Sequence, residues 1–210
     1  MLFALCLVMV GGAIFAYATR DRRTPQQRAV EGAIEAVSKR DADALFALIS
    51  EEEKQASGIT RENLRRYLND YVLAGLGTLE PSGEIQPSEI VVTGSFSATR
   101  HFRTATGSIP IHFSSDTVGD HTRVSSAVWS LLIARMNSEL SGASVPQGRG
   151  RMLFIIDTLK RDKAAVEAVG IKGVLFMNDD GDRFFTWSEY IINRERALAR
   201  YEERMKADKR

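Results

Sequence analysis

The sequence predicts an α+β fold: short N-terminal helices, then antiparallel strands, then a C-terminal helical extension. Three observations carry this. Apolar residues recur at helical spacing from Thr24 to Gly77, they alternate from Ile85 to Asp116, and helical spacing returns beyond Gly150. Residues 1–18 stand apart as an apolar segment, 19–24 are a short linker, and 25–210 read as one domain, with a first part over 25–135 and an extension over 150–210.

The first helix begins at TPQQR. Thr24 is the N-cap, Pro25 occupies the first helical position, and Gln27 reaches back as in a capping box. Ala29, Val30, Ala33, Ile34 and Val37 form its apolar stripe to about Lys39. Asp41 caps a second helix with Leu45, Phe46, Leu48 and Ile49, and Ser50 with Glu53 reads as another capping box. Thr60 caps a helix whose stripe is Leu64, Tyr67, Leu68, Tyr71 and Val72, closed by Gly75 and Gly77.

Alternation then takes over. Ile85 and Ile90 to Val92 predict a strand in which Pro87 marks either a sheet edge or a break. Ser95 to Arg103 and Ser108 to Asp116 predict a hairpin looped at Thr106-Gly107, with Phe102 opposite Ile111, Arg100 opposite Phe113 and His101 opposite His112. One face collects Phe96, Ala98, Phe102, Ile109, Ile111 and Phe113, with Arg100 as its polar exception. His121 to about Arg135, apolar on both faces, predicts a central or bulged strand, and Ser138 to Gly150 predicts a loop. Met152 to Val169 predicts a helix, with a short strand over Met152 to Ile156 as the competing reading, and Val174 to Met177 and Phe184-Phe185 a small hairpin around NDDGD. Thr186 with Glu189 predicts the capping box of a terminal helix to about Lys206, with Glu202 and Lys206 paired.

Met1 to Ala18 carries no charged side chain and Arg20, Arg22 and Arg23 follow it. At about 1.5 Å per residue, roughly 18 helical residues reach the thickness of a bilayer core. The expectation is a single-pass membrane protein whose first partner is the lipid bilayer, through residues 1–18. A cleaved signal with Ala16 and Ala18 at its end competes, as does a lipoprotein site at Cys6. The basic flank argues for a cytoplasmic domain.

Lys and Arg number 28 against 27 Asp and Glu, so a net charge of +1 provides no overall field for nucleic acid. Cys6 is the only cysteine, which excludes disulfides and thiolate metal sites from 25–210.

The first helix, the link KRDADAL from Lys39 to Leu45, a helix closing on glycines, and antiparallel strands with a late tryptophan resemble the nuclear transport factor two-like (SnoaL-like) superfamily. The likeness covers roughly residues 24–135. It implies a cone in which a curved sheet wraps around the helices and leaves a pocket, and it suggests a cell-envelope location. Members range from small-molecule isomerases and dehydratases to non-catalytic binding and dimerisation modules, so the fold does not choose a function.

In such a cone Arg100, on the packing face, would hold an anionic group, and Tyr67 and Tyr71 would lend hydroxyls. His101 and His112, with Asp116 on the same face, are weak metal candidates. Asp179, Asp180 and Asp182 lack calcium-loop spacing, Gly148 to Arg151 lacks a P-loop lysine, and Gly75-Leu76-Gly77 lacks a third glycine. No cofactor is expected. The functional expectation is a membrane-anchored, non-catalytic module binding a protein partner, a second copy of itself or a small ligand; the alternative is an isomerase- or dehydratase-type enzyme using the cone pocket. The basic terminal helix is a further docking candidate.

Overall fold

The computed structural model describes residues 23–88, 95–104, 107–118, 120–142, 147–172, 175–177 and 184–207. Helix α1 (Pro25–Lys39) starts on the predicted box: Gln27 N–H donates to Thr24 Oγ1 at 3.2 Å and Thr24 N–H to Gln27 Oε1 at 2.8 Å. It buries Ala29, Val30, Ala33, Ile34 and Val37, and that stripe lies against the sheet. Helix α2 (Ala42–Leu48) is capped by Asp41 and helix α3 (Glu51–Ser57) by Ser50. The box expected at Ser50 is half formed, because the Glu53 side chain points elsewhere. Helix α4 (Arg61–Arg66), capped by Thr60 and Asn63, widens into a π-helical segment (Tyr67–Val72) and ends in α5 (Leu73–Leu76).

Four strands follow, β1 (Glu80–Pro87), β2 (Ser95–Thr104), β3 (Gly107–Val118) and β4 (His121–Ser125), in one antiparallel sheet of that order. β1 is an edge strand, so Pro87 sits where a missing N–H costs no ladder bond. Helix α1 contacts β2, β3 and β4. Ala98, Phe102, Ile109, Ile111 and Phe113 are buried, which bears out the predicted apolar face. The register differs from the expectation by two residues. Phe102 pairs with Ile109, Arg100 with Ile111 and His101 with Pro110, because the strands close at Thr104 and Gly107. A shift of two conserves the side of every side chain and changes every neighbour.

The strand expected over His121 to Arg135 is also corrected. β4 ends at Ser125, Ser126 takes a left-handed turn at φ 55°, and helix α6 (Ala127–Gly142) begins. Val128, Leu131, Leu132 and Met136 are buried at i, i+3, i+4 and i+8, a helical stripe hidden in a continuous apolar run. Trp129 therefore belongs to a helix and not to the sheet, and Ser138 to Gly142, expected to open a loop, are helical, while residues 143–146 lie outside the described residues. Helix α7 (Arg149–Ala168), the hairpin β5 (Leu175–Met177) with β6 (Phe184–Thr186), and helix α8 (Trp187–Ala207) complete the chain.

Among the described residues, no helix is long and apolar enough to cross a membrane. The two longest, α7 and α8 with 20 and 21 residues, are studded with charge. This corrects the expectation of a single-pass membrane protein; Met1 to Ala18, which prompted it, lies outside the described residues.

Candidate functional site

The two tyrosines named from the sequence stand on the π-helical segment, stacked with ring centroids 5.8 Å apart. Tyr67 is fully buried and donates its hydroxyl to the Val128 carbonyl at 2.8 Å, a bond that ties the segment to α6. Burial holds its phenol well above the usual range. Tyr71 lies under the Arg135 guanidinium, 4.0 Å from the ring centroid, in cation–π geometry. Burial, and then the nearby Asp162 carboxylate, push the Tyr71 phenol upward as well.

Around Tyr71 the structure assembles a polar joint that joins the π segment to α6 and α7. Asp162 is fully buried on α7, and its Oδ1 accepts from Arg161 Nε at 3.0 Å and Nη2 at 2.9 Å. Arg161 Nη2 also donates to Glu139 Oε2 at 2.6 Å, and that bond foremost holds its guanidinium above the usual range. Arg135 stands 3.5 Å from Asp162 and 3.4 Å from Glu139 in looser ion pairs. Tyr71 Oη, Arg135 Nε and Nη1, and Asp162 Oδ2 are buried without a well-formed hydrogen bond among the described residues. Gly75 makes room for this arrangement: a Cβ there would lie 2.3 Å from Arg135 Nε. Close packing, not dinucleotide recognition, accounts for that glycine.

Arg100 stands on the sheet. It is half-buried on β2, between the buried Ala98 and Phe102 on the same face, and its buried Nε has no hydrogen-bond partner among the described residues. Among the described residues, no hydrogen bond or ion pair joins it to either tyrosine. Arg100 thus stands on a strand of the sheet, and Tyr67 and Tyr71 on the π-helical segment.

The histidines are held by hydroxyls. His112 Nδ1 lies 3.1 Å from Thr99 Oγ1 and His101 Nδ1 3.4 Å from Ser108 Oγ, while Asp116 accepts from Arg123 Nε at 2.9 Å. Among the described residues, no three His, Cys, Asp or Glu side chains are grouped to hold a metal ion. Asp179, Asp180 and Asp182 lie outside the described residues.

A second buried carboxylate was not anticipated. Glu53 reaches from α3 to the start of α6, where its Oε2 accepts the Ser126 N–H at 2.9 Å. A carboxylate at a helix N-terminus meets unsatisfied amides and the positive end of the dipole. Burial nevertheless dominates and raises its pKa to about 8, with the Ser126 amide pulling the other way and the Asp116 charge adding to the rise. Asp162 had a sequence signal, since it interrupts the apolar spacing of Ile156, Leu159 and Val166. Glu53 had none, because its partner is distant in sequence.

Helix α8 begins on the predicted box, with Glu189 N–H donating to Thr186 Oγ1 at 3.2 Å and Thr186 N–H to Glu189 Oε2 at 2.8 Å. It packs on α7 and β6, and two of its glutamates pair with α7: Glu195 with Lys160 and Glu202 with Arg149, both at 2.6 Å. The pair expected between Glu202 and Lys206 is replaced by this tertiary one. No protein-family model matches the chain, and no curated protein is significantly similar to it.

Proposed function

We propose that the chain is a non-catalytic α+β module that binds a protein partner through its C-terminal helix α8. One observation carries this reading. Among the described residues, the two large apolar side chains that stand exposed, Ile192 at 44% and Met205 at 43%, are both on α8. Met205 extends the stripe of Trp187, Ile191, Leu198 and Tyr201, but Arg149, which opens α7, is matched to Glu202. The last turn therefore overhangs its support, and residues 203–207 are exposed throughout. An amphipathic helix end with an uncovered apolar face is suited to helix-in-groove recognition.

The helix order before the sheet, and α1 lying against β2, β3 and β4, support a nuclear transport factor two-like cone, in which α6 departs from the plain pattern. Buried ionisable groups serve as joints in this reading: Glu53 ties α3 to α6, and Asp162 ties α7 to α6. Site-specific photo-crosslinking in the native cell tests the docking role. A crosslinker at Met205 or Ala199 is expected to capture one discrete protein, and one at Glu84 on β1 is not. Equal capture from all three positions, or none from α8, would overturn it.

A ligand-binding or enzymatic cone has one observation of its own, the buried and unpartnered Nε of Arg100. It predicts that small carboxylates raise the melting temperature of the native chain but not of Arg100→Met; equal shifts in both would remove it.

A further inference from the structure

Resting on the docking role of α8, we infer that the partner presents an acidic surface, a helix or segment with carboxylates about one helical turn apart. The ridge that would receive it consists of Ile192, Arg196, Arg200 and Arg204, four exposed residues at successive i+4 positions. At about 1.5 Å per residue the three guanidinium stems follow one another at roughly 6 Å, and i±4 rows are the ridges by which helices pack.

What distinguishes this ridge is that the molecule leaves its charge unanswered. Helix α8 has four glutamates that could have balanced it. Glu189 is engaged in the cap, Glu195 by Lys160 and Glu202 by Arg149. Glu203, exposed beside the ridge, forms no ion pair among the described residues. Arg196, Arg200 and Arg204 accordingly have neither a hydrogen bond nor an ion pair among the described residues. Like charges at i,i+4 disfavour a helix by a few tenths of a kcal/mol per pair. No ion pair among the described residues offsets this. A row of carboxylates on a partner would offset it, and Arg supplies the planar, multidentate donor that such a surface binds. Ile192 at one end gives the ridge an apolar anchor, and Ala199 beside it allows close approach. A single apolar anchor in line with the charges favours a protein surface over a nucleic acid, met chiefly through its phosphates, and over a bilayer, which takes up a broad apolar face and not one side chain.

The test uses the full chain and a fluorescent helical peptide with Leu at one position and Glu at the next three i+4 positions, read by anisotropy. Binding is expected in 50 mM NaCl and is expected to weaken about tenfold or more in three ways: in 500 mM NaCl, on replacing the peptide's Glu by Gln, and in the Arg196→Glu/Arg200→Glu/Arg204→Glu chain. The Arg196→Gln/Arg200→Gln/Arg204→Gln chain, with far-UV circular dichroism on each variant, separates lost charge from lost helix. Equal binding of Glu and Gln peptides would overturn the inference, as would tighter arginine-dependent binding of anionic vesicles or a DNA duplex. If the acidic peptide fails while Met205 still crosslinks to one protein, the docking role stands and its acidic specificity falls; if both fail, both fall.

Discussion

Glu53 shows at the scale of one residue how a buried carboxylate links the fold to pH. Its Oε2 receives the Ser126 amide while its buried Oε1 has no hydrogen-bond partner among the described residues, and its pKa of about 8 exceeds the ordinary value of 4.5. The folded state then holds a proton that the unfolded state releases between about pH 4.5 and 8. Stability is fully present below that window, declines as pH rises through it, and is level above it. The shift corresponds to an upper figure of about 5 kcal/mol, of which relaxation around an ionised Glu53 would recover part. Glu53→Gln retains an oxygen for Ser126 and cannot ionise. We expect urea midpoints of the two proteins to agree near pH 5 and to diverge by pH 8.5, with Gln the more stable. Parallel pH profiles would show that Glu53 titrates normally.

Among the elements, the π-helical segment and α5 set propensity against packing at Gly75. Intrinsic preference says that alanine in a helix is more stable than glycine by about 1 kcal/mol. The structure predicts the opposite sign here, because the added Cβ would fall 2.3 Å from Arg135 Nε, and Arg135 is confined by the Tyr71 ring, Glu139 and Asp162. Displacing the guanidinium would leave Asp162, fully buried, with Arg161 alone. Overpacking and a loosened buried pair cost about 1–3 kcal/mol. Gly75→Ala is therefore expected to lower the urea midpoint, and Arg135→Ala in the same chain to reduce the penalty of the alanine. A stabilised Gly75→Ala would mean that Arg135 is not held where the structure places it. The same joint shows why a sequence reading put Tyr67 and Tyr71 on the right face and missed their surroundings. Spacing within one helix reveals a stripe, whereas Arg135 and Asp162 reach Tyr71 from helices far along the chain.

For the whole molecule, what could be read in advance was whatever short-range chemistry determines. Caps at Thr24, Asp41, Thr60 and Thr186 use a side chain within three residues of the amide it satisfies, and all four form. The hairpin faces follow from parity alone, but its register depends on which two residues make the turn. Val128 to Met136 misled because a helix buried on most sides and a central strand are alike in composition. Arg100 lies on the face that alternation assigns to it, between the buried Ala98 and Phe102. One consequence concerns residues 150–210, which could have formed a lobe of their own. Leu159, Val166, Ile171, Trp187 and Ile191 instead belong to the same buried cluster as Val30, Tyr67 and Phe113. Trp129 of α6 meets Trp187 of α8 edge to face at 6.0 Å. A shared core implies one cooperative unit. Tryptophan fluorescence, which reports the junction of α6 with α8, and far-UV circular dichroism, which reports all the helices, should give one coincident urea transition. A chain ending at Gly142 should lose that cooperativity, since it exposes the faces of α6 and the π segment that α7 covers. Separate transitions, or a truncated chain that unfolds as sharply as the full one, would make the C-terminal helices an independent lobe.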